Sequence, residues 1–74
     1  MDKKLRQQKL KMWKENLRQL EEQLKVILAK KGVAAQQGDL SENAAYSLAQ
    51  EEETTCRIRI EGIKKIISEL EGGK

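Results

Sequence analysis

Seventy-four residues with a formal charge of +3, 36% of them charged and 38% hydrophobic, leave room for one domain and no large core. There is no His, Phe or Pro, and no nucleophile–base pair or glycine-rich phosphate loop. An independent enzyme with an enclosed pocket is thereby excluded, and the surplus of Leu, Ile, Lys, Glu and Gln is that of long helices or a coiled coil.

Charge divides unevenly along the chain. Residues 1–31 hold ten bases and four acids, a net of +6, whereas residues 32–74 hold five bases and eight acids, a net of −3. A basic first half is a candidate surface for nucleic acid or an acidic protein rim. Its lysines are scattered around the helix without aromatic platforms, which argues against an RNA-binding hairpin. No apolar run approaches the ~20 residues of a membrane span. With no signal peptide either, the expectation is a cytoplasmic protein with no membrane contact.

In the first half, apolar residues recur at Leu10, Trp13, Leu17, Leu20, Leu24 and Ile27, the 3-4 spacing of a coiled-coil seam. This predicts a first helix over about 3–36, with Gly32 a tolerated weak point. The second half repeats the signal at Cys56, Ile60, Ile63, Ile67 and Leu70. Traced backwards it reaches Glu53, Ala49 and Ala45, so this seam grows small and polar toward the middle of the chain. A second helix over about 42–71 follows, stopped by Gly72-Gly73. Cys56 has no partner in the chain for a disulfide and reads as a small buried thiol at the seam.

The two seams match in antiparallel register. Leu17 with Ile60 and Leu10 with Ile67 have numbers summing to 77, and Leu20 with Cys56 and Trp13 with Ile63 to 76. A constant sum is what a hairpin requires, and it places the turn near Gly38. The predicted fold is all-α, a long antiparallel two-helix coiled-coil hairpin. It forms a single domain over residues 1–74, with no C-terminal globular domain in the chain and a tip at 37–41. Each arm of roughly thirty residues would span about 45 Å. Leu5, Met12 and Val26 lie off the first seam, and Leu48, Ile58 and Ile66 off the second. They suggest a second apolar stripe, a surface for a homo-oligomer or another partner.

The tip reads Gly38-Asp39-Leu40-Ser41-Glu42-Asn43-Ala44-Ala45-Tyr46, and no Lys or Arg occurs between Gly32 and Glu53. Asp39 followed three residues later by Glu42 has the spacing of a capping box, which is a structural explanation of both acids. The functional alternative is that two carboxylates at the end of a rod serve as hard oxygen ligands for Mg²⁺. Two carboxylates alone seldom hold that ion, so such a site would be completed by another macromolecule.

The stretch Gly38 to Ala44 with Tyr46, followed by Ala49, Glu51 and Glu52, resembles the tip signature of the bacterial Gre transcript-cleavage factors, the GreA/GreB family. Arg59-Ile60-Glu61-Gly62-Ile63 is similar to their descending helix, and the resemblance covers about residues 5–71. It implies a transcription elongation factor whose N-terminal coiled coil enters the secondary channel of bacterial RNA polymerase. There the tip acids, here Asp39 and Glu42, would be the catalytic and metal-directed residues. They would share Mg²⁺ with the polymerase and stimulate its own cleavage of backtracked RNA, rather than catalyse alone. Gly38, Leu40, Ser41, Asn43 and Tyr46 match positions that support the tip or face the nascent RNA 3′ end. Three departures accompany the likeness. The family's second domain is absent, Ala45 stands where the family usually has Glu, and Gln36, Gln37 and Gln50 replace residues that are often basic. A channel-occupying inhibitor of polymerase and a purely structural coiled-coil adaptor are the alternative readings.

Overall fold

A computed structural model describes residues 2–38 and 42–72 of the chain. Two helices account for nearly all of them, α1 over Lys3–Ala35 and α2 over Ala44–Leu70, and they pack against each other as an antiparallel hairpin. The molecule is a rod of 55 × 19 × 13 Å. Its radius of gyration of 16.6 Å exceeds the roughly 11 Å of a globular chain this long.

The seam is where the apolar spacing puts it. Ile27, Cys56 and Ile60 form the buried centre, with Leu17, Leu20 and Leu24 packed against them. The Cys56 thiol lies 3.4 Å from the Leu20 carbonyl oxygen and donates to it across the seam, in the register that pairs those two positions. Toward the turn the buried residues shrink to Ala34 and Ala49. Apolar burial at about 25 cal/mol per Å² therefore weakens from the middle of the rod to its tip.

The charge asymmetry of the sequence has a structural role. Lysines of α1 meet glutamates of α2 at Lys14–Glu71 (3.1 Å), Lys30–Glu52 (3.1 Å) and Lys31–Glu53 (2.7 Å). Three lysines of the basic first helix are thus matched by glutamates on the opposite arm of the rod. The first two pairs are half exposed and each contributes less than about 1 kcal/mol. Lys31 and Glu53 are more enclosed, at 26% and 15% side-chain exposure.

Both helix ends use glycine. Gly72 takes φ +78° after the last turn of α2, and its amide donates to the Glu69 carbonyl at 3.1 Å. Gly38 takes φ +110°, a backbone conformation that a side chain would strain. Before it, the amides of Gln36 and Gln37 close the end of α1 by donating to the carbonyls of Val33 and Ala34.

Two of the six residues proposed for a second apolar stripe lie together, and Ile58 lies apart from them. Val26 and Leu48, 60% and 58% exposed, line one groove between the helices. Ile58 lies with Thr54, Arg57 and Glu61 along another depression. Ile66 is half-buried, and Leu5 and Met12 stand near the open end of the hairpin. Among the described residues, no helix is long and apolar enough to cross a membrane.

Candidate functional site at the hairpin tip

The turn joins the two helices over residues 36–43, and its construction differs from the capping box that the spacing suggests. The N-cap of α2 is Asn43, whose side-chain oxygen accepts from the Tyr46 amide at 3.1 Å. Asn43 has the extended backbone of a cap, φ −93° and ψ 99°, and α2 begins at Ala44 rather than at 42. Asn and Asp are equally good caps. What pulled the reading upstream was the Glu three residues after Asp39. The choice of Asn43 follows from what its other end can reach.

That other end is the amide nitrogen. It donates to the Ala34 carbonyl at 2.7 Å, so one side chain caps α2 and ties it to the final turn of α1. The last carbonyls of a helix lack partners within it, and Ala34 sits in the buried seam. An Asp cap accepts, but its ionised carboxylate has no proton to donate to the Ala34 carbonyl. The carboxamide is the group that does both.

A second tie lies one turn back on α1. Lys31 Nζ is 2.7 Å from a Glu53 carboxylate oxygen and 5.6 Å from the centroid of the Tyr46 ring. The other Glu53 oxygen accepts from Arg57 Nε at 2.8 Å. The hydrogen bond from Lys31, and then that from Arg57, hold the Glu53 carboxyl below its ordinary value of 4.5. The same bond to Glu53 raises the Lys31 ammonium above its ordinary 10.5. A cation this close to a Tyr ring is attracted by its electron-rich face. Residues 31 and 34 of α1 are thus linked to 46 and 43 of α2.

The sequence reading missed Lys31. Its signal was present, because positions 24, 27, 31 and 34 continue the 3-4 spacing of the first seam. In that register Lys31 faces Tyr46, and its long side chain reaches along the seam to Glu53.

Glu42 immediately precedes the cap and is exposed. Asn43, and not Glu42, is the N-cap of α2. Glu42 borders a shallow depression shared with Ser47, Leu48 and Glu51. Asp39, Leu40 and Ser41 lie outside the described residues, so the geometry speaks to Gly38, Glu42, Asn43 and Tyr46 among the candidate tip residues. Among the described residues, no group of three His, Cys, Asp or Glu converges as a metal site would require. Glu42 supplies the hard oxygen that Mg²⁺ takes, and that ion commonly combines one or two carboxylates with water and phosphate ligands. Ala45 is exposed beside the tip.

The comparisons with known proteins agree on one family. The family model for the N-terminal part of transcription elongation factors GreA and GreB matches residues 4–71. The chain is 42% identical over 65 residues to the transcription elongation factor GreA of Lachnoclostridium phytofermentans, a match covering 77% of this chain and 41% of that protein. It therefore spans less than half the length of that curated relative. No solved structure matches. A model match that runs almost from end to end, over a hairpin with the expected seam and turn, makes this chain a member of the GreA/GreB N-terminal domain family of transcription elongation factors.

Proposed function

We propose that this hairpin acts on bacterial RNA polymerase in the cytoplasm, entering its secondary channel tip first and stimulating cleavage of backtracked RNA. The carrying observation is the position and exposure of Glu42. It stands at the turn end of a 55 Å rod, exposed, with the capping of α2 assigned to Asn43. The rod is narrow, 19 by 13 Å across its two shorter axes, a shape suited to reaching into a channel. No Lys or Arg lies between Gly32 and Glu53 to neutralise the acids carried there.

In this reading Asp39 and Glu42 would hold Mg²⁺ together with the polymerase. The ion, when bound, polarises and positions the water that attacks the RNA phosphodiester. The chain's own part is to bring carboxylate oxygens to a site it does not contain, close to the nascent RNA 3′ end. Asn43 and Tyr46 hold the start of α2 in place while it does so. The factor stimulates the polymerase's nuclease and is not an enzyme alone.

The test is RNA shortening in a stalled, backtracked elongation complex with Mg²⁺, run with the wild type and with Asp39→Asn/Glu42→Gln. Faster shortening by the wild type alone is the expected result. A loss of at least tenfold in the double variant would be on the order seen when a directly acting electrostatic group is removed. Equal shortening by both proteins would remove the tip acids from the mechanism.

A second reading is favoured by the exposed Ala45 and by the lack of bases around the turn. One carboxylate fewer and weak RNA contact suit a channel blocker. Its mark would be slower nucleotide addition by wild type and double variant alike, with no shortening.

A further inference from the structure

We propose that Lys31 is a positioning residue for the tip, which locks the first turn of α2 against α1 and thereby fixes the direction in which Glu42 projects. The proposal rests on the reading of Glu42 as a working carboxylate, and extends it to a side chain one helical turn away from the turn end of α1.

The geometry is a closed loop of contacts. Lys31 reaches Glu53 at 2.7 Å and lies over the Tyr46 ring at 5.6 Å. The Tyr46 amide donates to the Asn43 side chain at 3.1 Å, and the Asn43 amide returns to Ala34 of α1 at 2.7 Å. Arg57, at 2.8 Å, steadies the second oxygen of Glu53, so that the carboxylate is fixed from both helices. A single tie between two helices leaves rotation about it free. Two ties, one helical turn apart on α1 and three residues apart on α2, remove that rotation. Glu42 is the residue next to the loop, and its backbone direction is set by Asn43.

Apolar packing cannot do this locally. The buried residues nearest the turn are Ala34 and Ala49, and small side chains define the angle between two helices poorly. The pair is also the most enclosed cross-helix ion pair among those described, at 26% and 15% side-chain exposure, whereas Lys14–Glu71 and Lys30–Glu52 are half exposed. Groups hydrogen-bonded directly to a metal ligand change activity by about 10- to 100-fold when removed; Lys31 acts one step further away, through Tyr46 and Asn43, so the lower end of that range is expected.

The test compares wild type with Lys31→Met, Lys31→Arg and Tyr46→Leu in two measurements. The first is the backtracked-complex assay over a range of factor concentrations. Lys31→Met should lower the cleavage rate at saturation about tenfold and leave the half-saturating concentration unchanged. Lys31→Arg, which keeps a cation between Glu53 and Tyr46, should recover most of the rate. A merely structural role would instead raise the half-saturating concentration and lower the helix content. The second measurement is amide hydrogen exchange. Lys31→Met and Tyr46→Leu should both speed exchange at Tyr46 while leaving Ile60 as in the wild type. Unchanged exchange at Tyr46 in Lys31→Met would overturn the proposal whatever the cleavage result. A wild type that fails to shorten RNA would sink the proposed function alone, and the exchange data would still decide whether Lys31 locks the turn.

Discussion

The middle of the rod and its tip are held together by different physics. At the middle, Ile27, Cys56 and Ile60 are buried with three leucines around them, and the Cys56 thiol bonds a backbone carbonyl across the seam. At the tip the buried residues are alanines, and the helices are joined by an amide, an ammonium, a carboxylate and a ring. Burial is tolerant of direction, since it scales with area. Hydrogen bonds and ion pairs are directional and fix an angle. A rod that needs stability in its shaft and a defined orientation at its end would be built this way round.

The largest expected effect comes from breaking the shaft. Ile60→Ala removes a side chain that is 7% exposed at the centre of the seam. Losses of 2–5 kcal/mol, roughly, attend such truncations, and a two-helix unit has little stability to lose. Thermal melting followed by circular dichroism should show the hairpin largely unfolded near room temperature. A melting curve close to the wild type's would mean that contacts outside this seam carry the fold.

A smaller and more local effect is expected at the tip. Asn43→Ala removes a cap, typically about 1 kcal/mol, together with the bond to Ala34. The melting temperature should fall by several degrees, with the helices still formed. Asn43→Asp sharpens the comparison, because it keeps the acceptor for Tyr46 but has no amide to donate. If Asn43→Asp melts like the wild type, the tie to α1 contributes nothing measurable and the cap alone holds the turn.

The same division explains what the sequence made legible. The shaft was readable because Leu and Ile at 3-4 spacing admit one helical arrangement, and the antiparallel register followed from matching two such series. The tip was readable in its location, since the seam residues there turn small and the charge changes sign. Its wiring was not. The spacing of Asp39 and Glu42 satisfies a capping box, and Asn43 satisfies a cap equally well. Only the proximity of Ala34 in three dimensions selects between them. Lys31 is hidden for a related reason: it is one of ten bases in the first half, and only its contact with Glu53 in the folded hairpin sets it apart.

Acid provides the mildest way to separate the two regions. The Glu53 carboxyl is held below its ordinary 4.5 by Lys31 and Arg57. A group depressed in the folded state contributes stability that is fully present above its unfolded value and is lost as pH falls through the folded one. The loosening should therefore begin below about pH 4.5 and be confined to the tip. Glu15, lowered by its hydrogen bond to Arg18, loses an exposed contact within α1 and does not bear on how the helices meet. The chain carries its own reporters, one Tyr near the turn and one Trp toward the open end. Aromatic NMR signals of Tyr46 should shift as the pH is lowered from 5 toward 3 (about one unit either side of the ordinary carboxylate range) while those of Trp13 stay put. In Glu53→Gln the Tyr46 shift should disappear, because the amide has no proton to gain in that range. Trp13 moving in step with Tyr46 would mean that shaft and tip melt as one unit, and that the polar contacts at the turn are not a separable device.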